Sequence, residues 1–152
     1  MKKAAFAAFR RLPAPLRRAA VHAGSPSYTV GAVAVIRRTD GKVVFVDQRH
    51  SDGWALPGGL LRRGEKADDA VIREVAEEIG VDLALAELPV ALASVSPWAR
   101  RVDVVYVIDV PDGVAAHAED AAEVRGIGWF GLDELPDVTE PTVDILRAVH
   151  LV

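Results

Sequence analysis

The chain has 152 residues, 51% of them hydrophobic and 26% charged, with a net charge of −4 and no cysteine. This balance suits one globular domain and excludes a disordered chain. The missing cysteines exclude disulfides, a thiolate zinc site and a cysteine nucleophile, and they fit a reducing cytosol. Charge is unevenly placed: Lys2, Lys3, Arg10, Arg11, Arg17 and Arg18 give residues 1–27 a charge of +6 with no acid, which leaves −10 on the rest of a chain of net −4. An acidic body argues against nucleic-acid binding and suits a protein that gathers divalent cations.

In chain order, Met1 to Phe9 is basic and then apolar. The apolar part is too short for a signal peptide and Arg10 and Arg11 end it, so a cytoplasmic protein is expected. No apolar run approaches the roughly 20 residues that cross a bilayer. Residues 1–23 read as two short helical pieces broken near Pro13 and Pro15. Phe6, Phe9, Leu12, Leu16 and Val21 form a weak apolar stripe among the arginines. The stripe is expected to pack on the acidic domain or on a second subunit; an anionic membrane surface and a loose tail are the alternatives. Gly24 to Ser27 is a linker, so a basic helical arm over 1–27 precedes a domain over 28–152.

Tyr28 to Arg38 is valine-rich and reads as a strand. Thr39, Asp40, Gly41 and Lys42 signal a turn, after which Val43 to Gln48 is expected to pair back as a hairpin. Arg49 to Gly53 is a polar loop. Residues 66–79 carry a strong helical period, with Ala70, Val71, Val75 and Ile79 on the apolar face and Gly80 as the residue that ends it. Pro89 to Val95, Val102 to Val110 and Val124 to Phe130 read as strands, and Ala115 to Ala122 as a loop or helical turn. Thr139 is expected to cap a last helix running to about Val149, with Pro141 in its first turn. The sum is a mixed sheet with helices on its faces, α/β or α+β.

The chemistry is concentrated between Gly59 and Val81. Glu74, Glu77 and Glu78 stand at i, i+3 and i+4 on one helix, with the apolar face opposite. Like charges at this spacing repel, so three gathered carboxylates ask for a positive partner. Mg²⁺ suits them: it prefers oxygen ligands, uses a few carboxylates, keeps several waters and completes its shell with substrate phosphates. Such an ion lowers the pKa of a bound water, and a spare carboxylate can take that water's proton. The reaction implied is attack of water on one phosphorus of a P–O–P link. Arg73 is expected to pair with a neighbouring glutamate or with Glu65 and so hold the loop against the helix. Pro57, Gly58, Gly59 and Gly64 allow a tight loop with exposed backbone groups near the phosphates. An acid-rich, solvated helix face is the bland alternative for the three glutamates alone. Seven specified residues at this spacing, however, arise by chance on the order of once per million chains.

The run Gly59-x5-Glu65-x7-Arg73-Glu74-Val75-x-Glu77-Glu78-x-Gly80-Val81 resembles the signature of the Nudix hydrolase family and meets it at every specified position. More weakly, the resemblance extends over Tyr28 to Val149 and looks nearest to the ADP-ribose pyrophosphatase-like or MutT-like members. It implies an α/β/α sandwich with a loop–helix–loop signature. It also implies Mg²⁺ or Mn²⁺ held by Glu74, Glu77 and Glu78 with a backbone carbonyl at Gly58 or Gly59. Members differ in which glutamate is the base, and some use an acid outside the signature. Glu123, placed before Ile127-Gly128-Trp129-Phe130, is similar to such an outlying ligand; Glu119 and Asp120 share the candidacy, and a plain loop acid is the alternative. Dimers are expected by analogy with the family.

Substrate choice is expected outside the signature. Pro97 lies 16 residues after Val81, a placement similar to that in ADP-ribose-cleaving members, although loop prolines are common. Trp98 could stack on a base, and Arg100 and Arg101 could meet phosphates; loop decoration is the alternative. Trp54 either packs or contacts a base. Trp129 is expected in the core. His22, His50, His117 and His150 show no metal spacing. The expectation is a Mg²⁺-dependent hydrolase of a nucleoside diphosphate linked to another group, ADP-ribose-like, or of a modified nucleoside triphosphate. The rivals are a catalytically weak nucleotide-sensing module on the same fold, and an interaction protein whose basic arm engages a partner.

Overall fold

The computed structural model describes residues 9–83, 88–118 and 122–152. A helix α1 (Ala14–Gly24) precedes strand β1 (Thr29–Arg38), followed by β2 (Val43–Gln48), β3 (Trp54–Ala55) and β4 (Gly58–Leu60). Helix α2 (Ala67–Ile79) comes next, then β5 (Val90–Ser96), β6 (Arg101–Val110), β7 (Val124–Phe130) and helix α3 (Glu140–Ala148). The strands form one mixed sheet in the order β3-β2-β1-β6-β5, with β4 also on β1 and β7 also on β2.

Strand β1 is the axis of the molecule. It pairs in parallel with β6 along its whole length, from Thr29 opposite Arg101 to Arg38 opposite Val110. Ala32 to Ile36 are all buried, so the strand shows no polar alternation; both its faces are covered. The alternation lies instead in which face each residue joins. Ala32, Ala34 and Ile36 pack under α2, with Ala70, Val71, Val75 and Ile79. Val33 and Val35 pack on the other side, with Phe45, Leu56, Ile145 and Leu146 under α3. This is the expected helix–sheet–helix sandwich.

Helix α2 spans Ala67–Ile79, one residue short of the 66–79 read from periodicity, and ends where Gly80 turns left-handed at φ 66° and donates its N–H to Ala76 O. Asp68 and Asp69 in its first turn complement the helix dipole. Asp68 also accepts a hydrogen bond from the hydroxyl of fully buried Tyr106, which ties the start of α2 to β6. Burial, and then Asp68, hold the Tyr106 phenol well above its usual pKa. Tyr106→Phe deletes this bond while keeping the ring, and is expected to lower stability by about 1–2 kcal/mol in urea unfolding. An unchanged midpoint would show that the bond does not anchor α2.

Several expectations need correction. The β1–β2 hairpin pairs only at its turn, Arg37 opposite Val43, because the same edge of β1 is taken farther back by β4 and by Pro57, whose carbonyl accepts the Ala34 N–H at 2.9 Å. Strand β2 pairs instead with β7, from Val43 opposite Phe130 to Gln48 opposite Val124. Two short strands, β3 and β4, occupy what reads as loop in sequence; two or three residues are too few to show a period. Strand β5 runs one residue later than expected, and β6 starts one residue earlier, at Arg101. Thr139 stands at the N-terminus of α3 but makes no cap; its hydroxyl bonds to that of Thr142, 2.9 Å away. Residues 115–118 are neither helix nor strand, and 119–121 lie outside the described residues. Helix α1 buries none of its residues, so over Ala14–Gly24 the expected packing of the arm on its own domain is not seen. The first piece of that arm, up to residue 8, lies outside the described residues. No helix among the described residues is long and apolar enough to cross a membrane.

Candidate active site

Strand β4 lies against the N-terminal half of β1, with Gly59 opposite Ala32 and Gly58 opposite Val33. Helix α2 follows in sequence and covers the same region, which brings its acidic stripe onto the glycines. A cavity of about 1080 Å³ opens there, lined by Gly58, Gly59, Glu74 and Glu78, by Glu123, and by Pro97, Trp98 and Arg101.

The three helix glutamates divide. Glu78 is buried, with 7% of its surface exposed, and accepts the Gly58 N–H at 2.9 Å and a short bond from the Gln48 side-chain amide. Burial drives its pKa up to about 7; the bonds from Gly58 and Gln48 oppose that rise, and the charges of Glu74 and Glu123 add to it. Glu74 lines the cavity beside Gly59. Glu77 does not line it; the side chain is 51% exposed and meets Arg62 at 3.2 Å and Arg73 at 3.2 Å.

Arg73 ties the loop to the helix. Its guanidinium grips Glu65 through Nε at 2.8 Å and Nη2 at 2.9 Å, reaches Glu74 and Glu77 through Nη1, and donates to the Leu60 carbonyl at 3.3 Å. Glu65 also accepts the Arg62 N–H at 2.6 Å. These bonds, with Arg73 first, hold the Glu65 carboxyl down at about 2, and Glu65 in turn holds the Arg73 guanidinium protonated. Both side chains stand beside the cavity and do not line it.

The glycines are needed for different reasons. A Cβ on Gly58, at φ 148°, would stand 2.3 Å from Ala32 O and 2.8 Å from Val33 Cα, backbone atoms that cannot move aside. A Cβ on Gly59 would stand 2.5 Å from the Glu74 carboxylate, a side chain that can swing away. Gly58→Ala is therefore expected to destabilise the fold by more than the roughly 1–3 kcal/mol of backbone strain alone. Gly59→Ala is expected to keep near-wild-type stability and lose activity because Glu74 is displaced. Thermal melting beside a turnover assay separates the two; equal stability losses would contradict the assignment.

Other expected site residues are dispersed. Trp54 takes the packing role: its ring meets Phe130 edge-on at 5.0 Å, it joins the core under α3, and it does not line the cavity. Trp98 is 98% exposed at the cavity rim. Arg100 holds a left-handed backbone at φ 49° in the β5–β6 turn, does not line the cavity, and offers its carbonyl to Thr29 N at 2.8 Å. Trp129 is half-buried against the α2-side core, with the Arg38 guanidinium 5.0 Å over its ring. Glu119 and Asp120 lie outside the described residues. Gln48 and Asp103 were not expected: Gln48 bonds Glu78 across 30 residues of sequence, which no local pattern reveals. For Asp103 the signal available was an acid set in the apolar run of β6, a feature it shares with Asp109.

The donor chemistry fits a hard divalent ion. Carboxylates of Glu74, Glu78 and Glu123 border one cavity with the backbone of Gly58 and Gly59. Among the described residues no three acids or histidines converge into a ready cage. Mg²⁺ does not require one, since it takes one or two carboxylates and fills its shell with water and phosphate.

A NUDIX domain family model matches residues 27–149. Over 116 residues the chain is 31% identical to an ADP-ribose pyrophosphatase of Methanocaldococcus jannaschii, covering 72% of this chain and 67% of that protein. It is 26% identical to an NAD-capped RNA hydrolase of Pectobacterium atrosepticum over 78% of this chain and 48% of that protein, so it spans about half of that relative's length. Among solved structures, a MutT NUDIX hydrolase from Burkholderia pseudomallei superposes with a TM-score of 0.67 at 28% identity, over 83% of this chain and 98% of that one.

Proposed function

Because the chain belongs to the Nudix hydrolase family, whose members cut pyrophosphate links, we propose that it hydrolyses a nucleoside diphosphate joined to a second group, an ADP-ribose-like compound, with Mg²⁺ or Mn²⁺. The observation that supports this most is one cavity lined both by the acids Glu74, Glu78 and Glu123 and by Trp98 and Arg101. The acids suit a diphosphate held through cations. Trp98 and Arg101 offer an aromatic face and a guanidinium for the rest of the substrate.

Glu74 and Glu78, with Glu123 and the backbone of Gly58 or Gly59, would hold the divalent ion. When bound it offsets phosphate charge and acidifies water. The chain's own residues do the positioning. Gly58 N–H and Gln48 orient Glu78. Arg73 fixes Glu74 against the Glu65 loop and keeps the first turn after β4 in register with the helix. A glutamate freed of its ion pair accepts the attacking water's proton. The N-terminal arm over 1–27 is a separate element on this reading, and the site is expected to act in the cytoplasm without membrane or nucleic-acid partners.

Purified protein with Mg²⁺ should cleave ADP-ribose to AMP and a sugar phosphate in a panel of nucleotides, with chelation by EDTA removing the activity. Cleavage of a modified nucleoside triphosphate with no turnover of ADP-ribose would move the substrate to the other class. Tight nucleotide binding without any product over hours would overturn hydrolysis.

A further inference from the structure

Arg101 and Asp103 stand two residues apart on β6, so their side chains share one face, and both line the cavity. Arg101 Nε donates to both carboxylate oxygens of Asp103, at 2.7 and 2.8 Å. The Asp103 side chain is only 13% exposed. Among the described residues, neither Nη group of Arg101 has a hydrogen-bond partner, so its outer donors remain available. The pair lies across Gly31 of β1: a Cβ there would stand 2.2 Å from Asp103 Oδ1, 2.8 Å from Arg101 Nη2 and 3.1 Å from the Gly59 carbonyl oxygen. Strand β1 thus lacks a side chain where the pair crosses it, beside the same glycine that borders Glu74.

We infer that the Arg101–Asp103 pair is a sugar-hydroxyl subsite, taking a vicinal diol on the group beyond the diphosphate and disfavouring a terminal phosphate. This rests on the diphosphate reading above. The pair is neutral as a unit. A diol matches it: one hydroxyl donates to Asp103 while its neighbour accepts from an Arg101 Nη group. A phosphate does not match, because the guanidinium is already neutralised and the dianion would meet the Asp103 carboxylate. Asp103 so acts twice, as acceptor for the sugar and as the group that aims Arg101.

The test compares ADP-ribose with an ADP alkyl ester that lacks the sugar hydroxyls, by titration calorimetry in EDTA and by turnover with Mg²⁺. The wild-type protein should bind ADP-ribose about tenfold or more tightly than the ester, the usual scale of a hydrogen bond to a charged group. Asp103→Asn and Arg101→Lys should bring that ratio to near one, and Asp103→Glu should restore part of it. In turnover, Asp103→Asn should raise KM for ADP-ribose about tenfold with kcat little changed. A wild-type ratio near one, or equal weakening of both ligands by both variants, would overturn the subsite. So would tighter binding of a nucleoside triphosphate than of ADP-ribose by the wild type. Absence of all turnover with the binding ratio intact would overturn the hydrolase reading and leave the subsite standing.

Discussion

Glu78→Gln is expected to lower kcat by roughly 100-fold or more while leaving the metal-free protein as stable as the wild type, or more stable. The two effects separate because Glu78 is buried at 7% exposure and its ionisation is opposed by burial, which lifts its pKa to about 7. Glutamine carries no charge to desolvate and still offers one oxygen to the Gly58 N–H. A buried acid that resists ionisation is a poor structural choice, and a bound cation is what makes it useful. Glu74→Gln, which alters the other cavity-lining helix acid, should show a loss of similar size. Glu77→Gln should show the smallest loss of the three, since that side chain is 51% exposed and engaged with Arg62 and Arg73. Steady-state kinetics with Mg²⁺, beside melting curves in EDTA, checks all three. Wild-type kcat in Glu78→Gln would remove this acid from the chemistry.

Arg73→Ala is expected to lower stability by about 2–3 kcal/mol at neutral pH and to abolish most activity. Its side chain is 15% exposed and serves Glu65, Glu74, Glu77 and the Leu60 carbonyl at once, so truncation leaves Glu65 and Glu74 without their cation, while Glu77 keeps Arg62. Arg73→Lys should recover little, because an ammonium cannot reproduce the two-point grip on Glu65. The loss also has a pH signature. Arg73 depresses the Glu65 carboxyl from 4.5 to about 2 in the folded state. A depressed carboxylate stabilises fully above its unfolded value and loses that contribution as pH falls toward its folded value. The gap between wild type and Arg73→Ala should therefore be constant above about pH 5 and narrow between pH 4.5 and 2. A gap independent of pH in that window would show that Arg73 acts through packing and not through Glu65.

Both predictions concern residues whose spacing was visible in the chain. The Gly59 to Val81 run placed the acids on one helix, and Gly80 marked its end, because helical period and a left-handed terminator are local properties. Strands β1, β6 and β7 were legible for the same reason: each is long enough to show its character, and β7 falls on the residues read for it. The short β3 and β4 were not, nor was the pairing by which β2 meets β1 only at Arg37 and Val43 and runs along β7 for its whole length. Pairing is a contest between distant segments, and the loser of that contest carries no mark in its own sequence.

What the sequence alone determined is therefore the acidic helix, the glycine turn before it and the family to which both belong. Only the tertiary structure decided which acids face the cavity, since burial of Glu78 depends on Gln48 and Gly58 arriving from other elements. It also turned Trp54 into the core against Phe130, and set Arg101 and Asp103 together over Gly31. Local spacing fixes the direction of a side chain on its own helix or strand, but solvent, partner and charge environment are set by whatever packs against it.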